Sequence, residues 1–177
     1  MKKKKKSKIK EKILLLFHSS RNNIKGKYSR VLPFGEYLNN RWEKADYLQW
    51  GKGSNCYDNV YIFGDVKVGE YTFVGPFCIL DGSGGLKIGS YCSISAGVQI
   101  YTHNSVEWSN QGGEKPLIYA PVVIGDNCYI GPNAVISMGV TIGKGAIIGA
   151  CSFVNKDVPP YAKVAGIPAK SIKDNKN

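Results

Sequence analysis

From Ile118 onward an Ile or Val stands at every sixth position: Ile118, Ile124, Ile130, Ile136, Ile142, Ile148 and Val154. A second train runs Ile62, Val68, Val74, Leu80, slips by two residues at Gly82-Ser83-Gly84-Gly85, and resumes at Ile88, Ile94 and Ile100. Setting aside Leu80 and Ile100, which lead into loops, twelve full hexads remain. Four residues after each start the side chain is small or β-branched: Val66, Thr72, Cys78, Cys92, Val98, Val122, Cys128, Ala134, Val140, Ala146, Ser152 and Val158. The residue right after the start is Gly in seven of the twelve, which is expected to help the chain turn. An amphipathic helix repeats near 3.6 and a half-buried strand near 2. A period of six fits neither; it fits a parallel β-helix, each hexad supplying a short strand and a turn. Stacked about 4.8 Å apart, like positions form aliphatic ladders through one core.

The flanks are of another kind. Residues 1–30 hold 12 Lys/Arg and one acid, Glu11, whereas residues 31–177 hold 12 of each sign. The body is therefore neutral, and no nucleic-acid-binding face is called for past residue 30. The division expected is a basic arm (1–30), an N-terminal cap (31–58), short and helical or irregular, a β-helix (59–160) carrying an active-site loop (101–117), and a closing segment (161–177). The Lys-rich residues 1–12 are expected to be disordered. The run Ile13-Leu14-Leu15-Leu16-Phe17 is too short for a bilayer span or a signal peptide, so a cytoplasmic location is expected. Behind the lysines it also suggests peripheral contact of residues 1–17 with the inner, anionic membrane face. The five cysteines are odd in number and include no C-x-x-C pair, so neither disulfides nor a zinc site is signalled. Cys78, Cys92 and Cys128 occupy small inward positions, as core residues do.

Hexads beginning Ile-Gly, a loop carrying Thr102-His103-Asn104, and the ending Lys156-Asp157-Val158-Pro159-Pro160…Ala165-Gly166-Ile167-Pro168-Ala169-Lys170 resemble the hexapeptide-repeat acyltransferases. The match covers roughly residues 58–173. It is nearest to the acetyl-CoA-dependent O-acetyltransferases of galactoside, maltose, xenobiotic and surface-polysaccharide type. The resemblance implies a left-handed β-helix, an exception to the right-handed crossover rule. It further implies a homotrimer with sites between subunits, acetyl-CoA as cosubstrate, no metal, and a sugar or glycan acceptor.

His103 is the one histidine of residues 31–177, placed where the hexads break. Imidazole suits a general base at neutral pH, and the family's catalytic histidine falls in the same loop. Its second nitrogen needs a partner, for which Glu107, Glu114 or a backbone carbonyl stand open. Asp81 lies one rung from Tyr101, because Leu80 and Ile100 hold equivalent positions one coil apart. Related enzymes grip acceptor hydroxyls with an acid in that segment, so Asp81 is expected to bind substrate unless it is a turn residue beside Gly82. Tyr101, Asn104, Glu107 and Trp108 are the further acceptor candidates. By motif position Tyr129, Gly139, Ala150, Asn155, Lys156, Lys170 and Lys173 match the family's coenzyme A contacts. Tyr129 stands where many relatives carry Trp, Asn155 where many carry Thr, and Met138 where many carry Pro. N-acylation of a nucleotide-linked amino sugar is the nearest alternative, and an inactive repeat scaffold the alternative of another class. A carbonic anhydrase built on the same helix coordinates its metal with three histidines, which this body lacks.

Overall fold

A computed structural model describes the backbone of residues 2–172. The hexads fold into stacked parallel coils with three faces. The first face holds β1 (Asn55–Cys56), β3 (Phe73–Val74), β5 (Ser93–Ile94), β10 (Tyr129–Ile130), β13 (Ile147–Ile148) and β15 (Lys163–Ala165), paired in that order. The second and third faces share one sheet, because β2 (Tyr61–Val68) and β4 (Ile79–Ile88) run through the corner between them. To it belong β6 (Gln99–Ile100), β9 (Val122–Ile124), β11 (Val135–Ile136), β12 (Thr141–Ile142) and β14 (Phe153–Val154). The ladders are in register: Val74, Ile94, Ile130, Ile148 and Val164 on the first face, Leu80, Ile100, Ile136 and Val154 on the second, and Val68, Ile88, Ile124 and Ile142 on the third. All of these are buried, and so are eleven of the twelve small positions, Val66 being half-buried.

Three local expectations change. Ile118 is exposed, because β8 (Ile118–Tyr119) does not join the coils but pairs antiparallel with β7 (His103–Asn104). Gly82 to Gly85 form no loop; they lie inside β4, with Gly82 opposite Gly64 of β2. The glycine after each ladder residue has an ordinary φ. It is glycine because the next coil passes too close for a side chain: a Cβ on Gly131 would lie 2.6 Å from the Ala150 nitrogen, and one on Gly125 2.7 Å from that of Lys144. The left-handed corner conformation falls instead three residues after the ladder position, on Tyr71, Phe77, Tyr91, Asn127, Asn133, Cys151 and Tyr161 as well as on Gly97, Gly139 and Gly145.

The solenoid outruns its expected limits at both ends. Cys56, buried and paired in register with Val74, already holds a ladder position inside the segment taken as cap. At the far end Pro159-Pro160 shortens a coil without ending it, since β15 still pairs with β13. β16 (Lys170–Ser171) then folds back antiparallel on β15. Burial pushes the thiols of Cys56 and Cys78 up to about 11, which keeps them protonated.

The lower end is covered by α2 (Gly35–Leu38) and α3 (Arg41–Tyr47). Asn40 caps α3 through its side-chain oxygen, which accepts from Trp42 N at 2.9 Å. Ala45 and Trp50 close over the first coil, and the Trp50 indole donates to Val66 O at 3.2 Å. Lys44 Nζ donates to Tyr57 O and Asp58 O at 3.0 and 2.8 Å, tying the cap to that coil's turn. Residues 2–12, expected to be disordered, are part of a single 27-residue helix, α1 (Lys2–Tyr28). Lys, Leu, Ile and Glu in succession carry good helix propensity, and no Pro or Gly interrupts them before Gly26.

Gly131→Ala should destabilise the protein by about 1–3 kcal/mol through the forced shift of Ala150. Gly26→Ala on α1, where a Cβ meets nothing within 4 Å, should instead be neutral or stabilising by about 0.5–1 kcal/mol. Urea titrations of both variants check the contrast.

Candidate active site

Ile100 and Ile136 are neighbours on one ladder although 36 residues separate them in the chain. A whole coil's length between them leaves the solenoid as an excursion: Tyr101 and Thr102, then β7, the short helix α4 (Val106–Asn110), a glycine turn at Gly112-Gly113, and β8. Its stem is closed by Ala120 N donating to Thr102 O at 3.0 Å and by the pairing of His103 with Tyr119.

Asp81 lies one rung below this stem and is buried. Its Oδ1 accepts from Ser83 N at 3.0 Å. Its Oδ2 accepts from Thr102 N at 2.8 Å and meets His103 Nδ1 at 2.6 Å. Thr102, also buried, donates its hydroxyl to Asp81 O at 2.9 Å and accepts from Gly84 N at 2.8 Å. Burial alone would raise the Asp81 pKa. The hydrogen bonds from Ser83, Thr102 and His103 outweigh it and hold the carboxyl well below the usual carboxylate range. A carboxylate only accepts, so Nδ1 of His103 carries the ring proton and Nε2 of the neutral imidazole is left as the basic atom.

Asp81, expected to grip an acceptor, is turned toward Thr102 and His103 instead. Its side chain is 3% exposed and both oxygens are occupied, so it orients His103, whose side chain is 37% exposed. Glu107 and Glu114, weighed for that orienting role, are exposed on the excursion, away from Nδ1.

A cleft of about 350 Å³ opens at His103, lined by Tyr101, Asn104, Ser105, Val135, Ser137, Met138 and Phe153. Tyr101 donates its hydroxyl to Gln99 Oε1 at 2.7 Å, and Asn104 Oδ1 accepts from Val106 N at 2.8 Å. Glu107 and Trp108 do not line the cleft; Trp108 sits on α4 over Gly113. Tyr119, absent from the sequence candidates, stands opposite His103 with ring centroids 6.1 Å apart. Val135, Ser137 and Phe153 were absent too. Register would have found them: Ser137 follows Ile136 on the ladder as Tyr101 follows Ile100, and Phe153 pairs with Val135.

The coenzyme candidates divide by corner. Gly139, Asn155 and Lys156 follow the cleft residues Met138 and Phe153 along the second-face corner, where Ser137 N donates to Val154 O at 2.9 Å. Tyr129 lies exposed on the first face, Ala150 at the corner after β13, and Lys170 on the closing hairpin, so one chain does not gather them at His103. Lys173 lies outside the described residues. Among those residues no group of His, Cys, Asp and Glu could hold a metal ion.

The model for bacterial transferase hexapeptide (six repeats) matches residues 121–156. A chloramphenicol acetyltransferase of Agrobacterium fabrum is 35% identical over 116 residues, which are 52% of this chain and 53% of that protein. A 2,3,4,5-tetrahydropyridine-2,6-dicarboxylate N-acetyltransferase of Staphylococcus aureus is 54% identical over 59 residues, 33% of this chain and 25% of that protein. The chain thus spans about half, or less, of the length of the curated relatives it matches. A solved hexapeptide-repeat-containing acetyltransferase from Vibrio cholerae superposes with a TM-score of 0.70 at 27% identity, over 94% of each chain. The coils are those of a left-handed parallel β-helix.

The depressed Asp81 pKa links the site to stability. A carboxyl whose folded pKa lies below its unfolded value, near 3.9, adds stability that is fully present above that value and is lost as pH falls through the folded one. Asp81→Asn lacks that contribution at every pH. Urea unfolding from pH 7 down to pH 2 should therefore show wild type more stable at neutrality and the two proteins drawing together in acid.

Proposed function

We propose that the chain is a hexapeptide-repeat acyltransferase, a reading supported by the family model over residues 121–156 and the likeness to a solved acetyltransferase, and that it moves an acetyl group from acetyl-CoA to a hydroxyl of a sugar or surface-polysaccharide precursor. The observation that carries this reading is the Asp81–His103 pair at the cleft. His103 Nε2 takes the proton of the acceptor hydroxyl as its oxygen attacks the thioester carbonyl. The imidazolium that forms faces the Asp81 carboxylate across 2.6 Å, which stabilises it. As the C–S bond breaks, the proton passes from Nε2 to the departing thiolate, giving the ester and free thiol. No covalent enzyme intermediate is needed, and both substrates meet in one ternary complex. Met138 lines the cleft, and its backbone amide is the donor this reading assigns to the developing oxyanion. A buried anion behind the base favours hydroxyl acceptors, since an alcohol must lose its proton during attack while a neutral amine attacks without prior deprotonation.

Gly139, Asn155 and Lys156 beside the cleft fit the donor's pantetheine and phosphate end, Lys156 as a point charge. Tyr129, Ala150 and Lys170 reach a donor only if they come from a neighbouring copy. We therefore include a C3 trimer in the proposal, with flat prism faces packed together and a site between each pair. Sedimentation should give three copies of the 19.4 kDa chain; an active monomer would overturn the shared site. N-acetyl transfer is the second reading, favoured by the 54% identity to the Staphylococcus aureus N-acetyltransferase.

Thiol release from acetyl-CoA, measured across a panel of hydroxyl and amino sugars, separates the two. His103→Ala should lower kcat by about 10²–10⁴-fold with little change in donor affinity. Asp81→Asn should lower kcat with the acceptor KM held, as a positioning residue does, whereas a rise confined to KM would return Asp81 to substrate binding.

A further inference from the structure

α1 is only half used by the fold. Its C-terminal half packs: Phe17 lies 5.5 Å from the rings of Phe34 and of Tyr37, and Ile24 and Tyr28 line a hollow of about 540 Å³ with Leu32, Tyr37 and Trp42. Before Phe17, Ile9, Ile13, Leu14, Leu15 and Leu16 are all exposed. Ile9, Ile13 and Leu16, spaced i, i+4 and i+7, share one face of the helix. By the same geometry Lys8 and Lys12 flank that face on one side and Lys10 on the other. Lys2 to Lys6 precede it in sequence. Glu11 is the one acid in the first 30 residues, while the rest of the chain balances 12 basic residues against 12 acidic ones. No helix among the described residues is long and apolar enough to cross a membrane.

We propose that the N-terminal half of α1 docks on an anionic lipid surface, with Ile9, Ile13 and Leu16 entering the headgroup boundary and the surrounding lysines meeting the lipid phosphates and carboxylates. An uncovered apolar stripe alone does not name its occupant; the charge around it does. A second copy of α1 would bring an equally basic helix against this one, whereas an anionic bilayer complements both the charge and the apolar face. A helix of this kind lies in the interface plane, and from Lys2 to Leu16 it would extend about 22 Å along the surface. Long Lys side chains carry their methylenes along the apolar boundary and keep the charge at headgroup level. The inference does not rest on the acyl-transfer reading.

The test is co-sedimentation of the full chain with vesicles of phosphatidylcholine alone or with about one-third phosphatidylserine. Wild type should bind the anionic vesicles at low salt and lose at least about 10-fold in partition by 0.5 M salt, where the screening length falls well below its low-salt value. Each basic residue near the surface is worth about five-fold, so Lys8→Glu/Lys10→Glu/Lys12→Glu should reduce partition at least about 100-fold. Ile13→Ser/Leu16→Ser, both at exposed positions, should reduce it at least about 10-fold and leave a salt-sensitive remainder. Circular dichroism of both variants separates loss of docking from loss of α1. Equal binding of wild type to neutral and anionic vesicles overturns the proposal, as does unchanged binding by either helical variant. Displacement from vesicles by an equimolar short RNA assigns the helix to nucleic acid. Failure to bind vesicles, with a large assembly that Ile13→Ser/Leu16→Ser breaks into smaller ones, assigns the stripe to another copy of the chain.

Discussion

Each coil must hydrogen-bond to the one beneath it along all three faces, and that single spacing governs the molecule. Parallel strands lie about 4.8 Å apart, and the amides obey it: Gly75 N to Ile94 O, Gly131 N to Ile148 O and Gly143 N to Val158 O are all 2.8 Å. At that separation the same hexad position recurs directly above itself. The interior therefore admits one aliphatic per face and one small side chain per corner, and the chain between coils has no room for a Cβ where backbone crosses backbone. The glycines after the ladder residues answer to this close approach. Corner curvature is carried elsewhere, by tyrosines, asparagines and glycines in the left-handed region. Asn is favoured there among side chains, while Tyr71 and Tyr91 stack on each other at 5.2 Å, a neighbour interaction that the same spacing provides.

The pairing of Asp81 with His103 follows from that spacing. Asp81 and Thr102 belong to successive coils, so a carboxylate fixed in β4 faces the first residues of the excursion leaving the coil above. Thr102 reads Asp81 twice, through its amide and its hydroxyl, and His103 is the next side chain along. An imidazole on a long excursion would lose considerable rotamer freedom on being held. Here the stem is fixed by hydrogen bonds to a buried carboxylate and by the antiparallel pairing of β7 with β8, so the imidazole is held in place by the fold itself.

Much of this was legible in the residue order because a solenoid converts sequence distance into height. Step by six and the inward columns appear; step by one coil, allowing for the slip at Gly82 to Gly85, and Leu80 falls on Ile100 as the pairing has it. His103 was conspicuous as the body's lone imidazole at a break in the period. Where the reading failed, a side chain's partner lay across the stack or outside it. Ile118 keeps the period of six but pairs with the excursion, so its periodicity carries no burial. Asp81 reads as a turn acid or a sugar ligand until Thr102 and His103 are placed above it. Cys56 holds a ladder position, but a search for Ile and Val passes over it. Tyr129, Ala150 and Lys170 lie apart from His103, on the first face, at the corner after β13 and on the closing hairpin.

The buried carboxylate shows why the site and the stack cannot be separated. An ionised Asp in an apolar core is tolerated only when its oxygens are satisfied. The acceptors of Asp81 are met by Ser83 from its own strand and by Thr102 and His103 from the coil above. None of those donors is available unless β4 runs straight through Gly82 to Gly85 and the excursion leaves after Tyr101. The two-residue slip lengthens this coil at the corner, where Ser83 turns its amide onto Oδ1 and Gly84 turns its amide onto the Thr102 hydroxyl. The irregularity in the repeat and the orientation of the base are one feature of the chain, expressed first in its spacing and then in its chemistry.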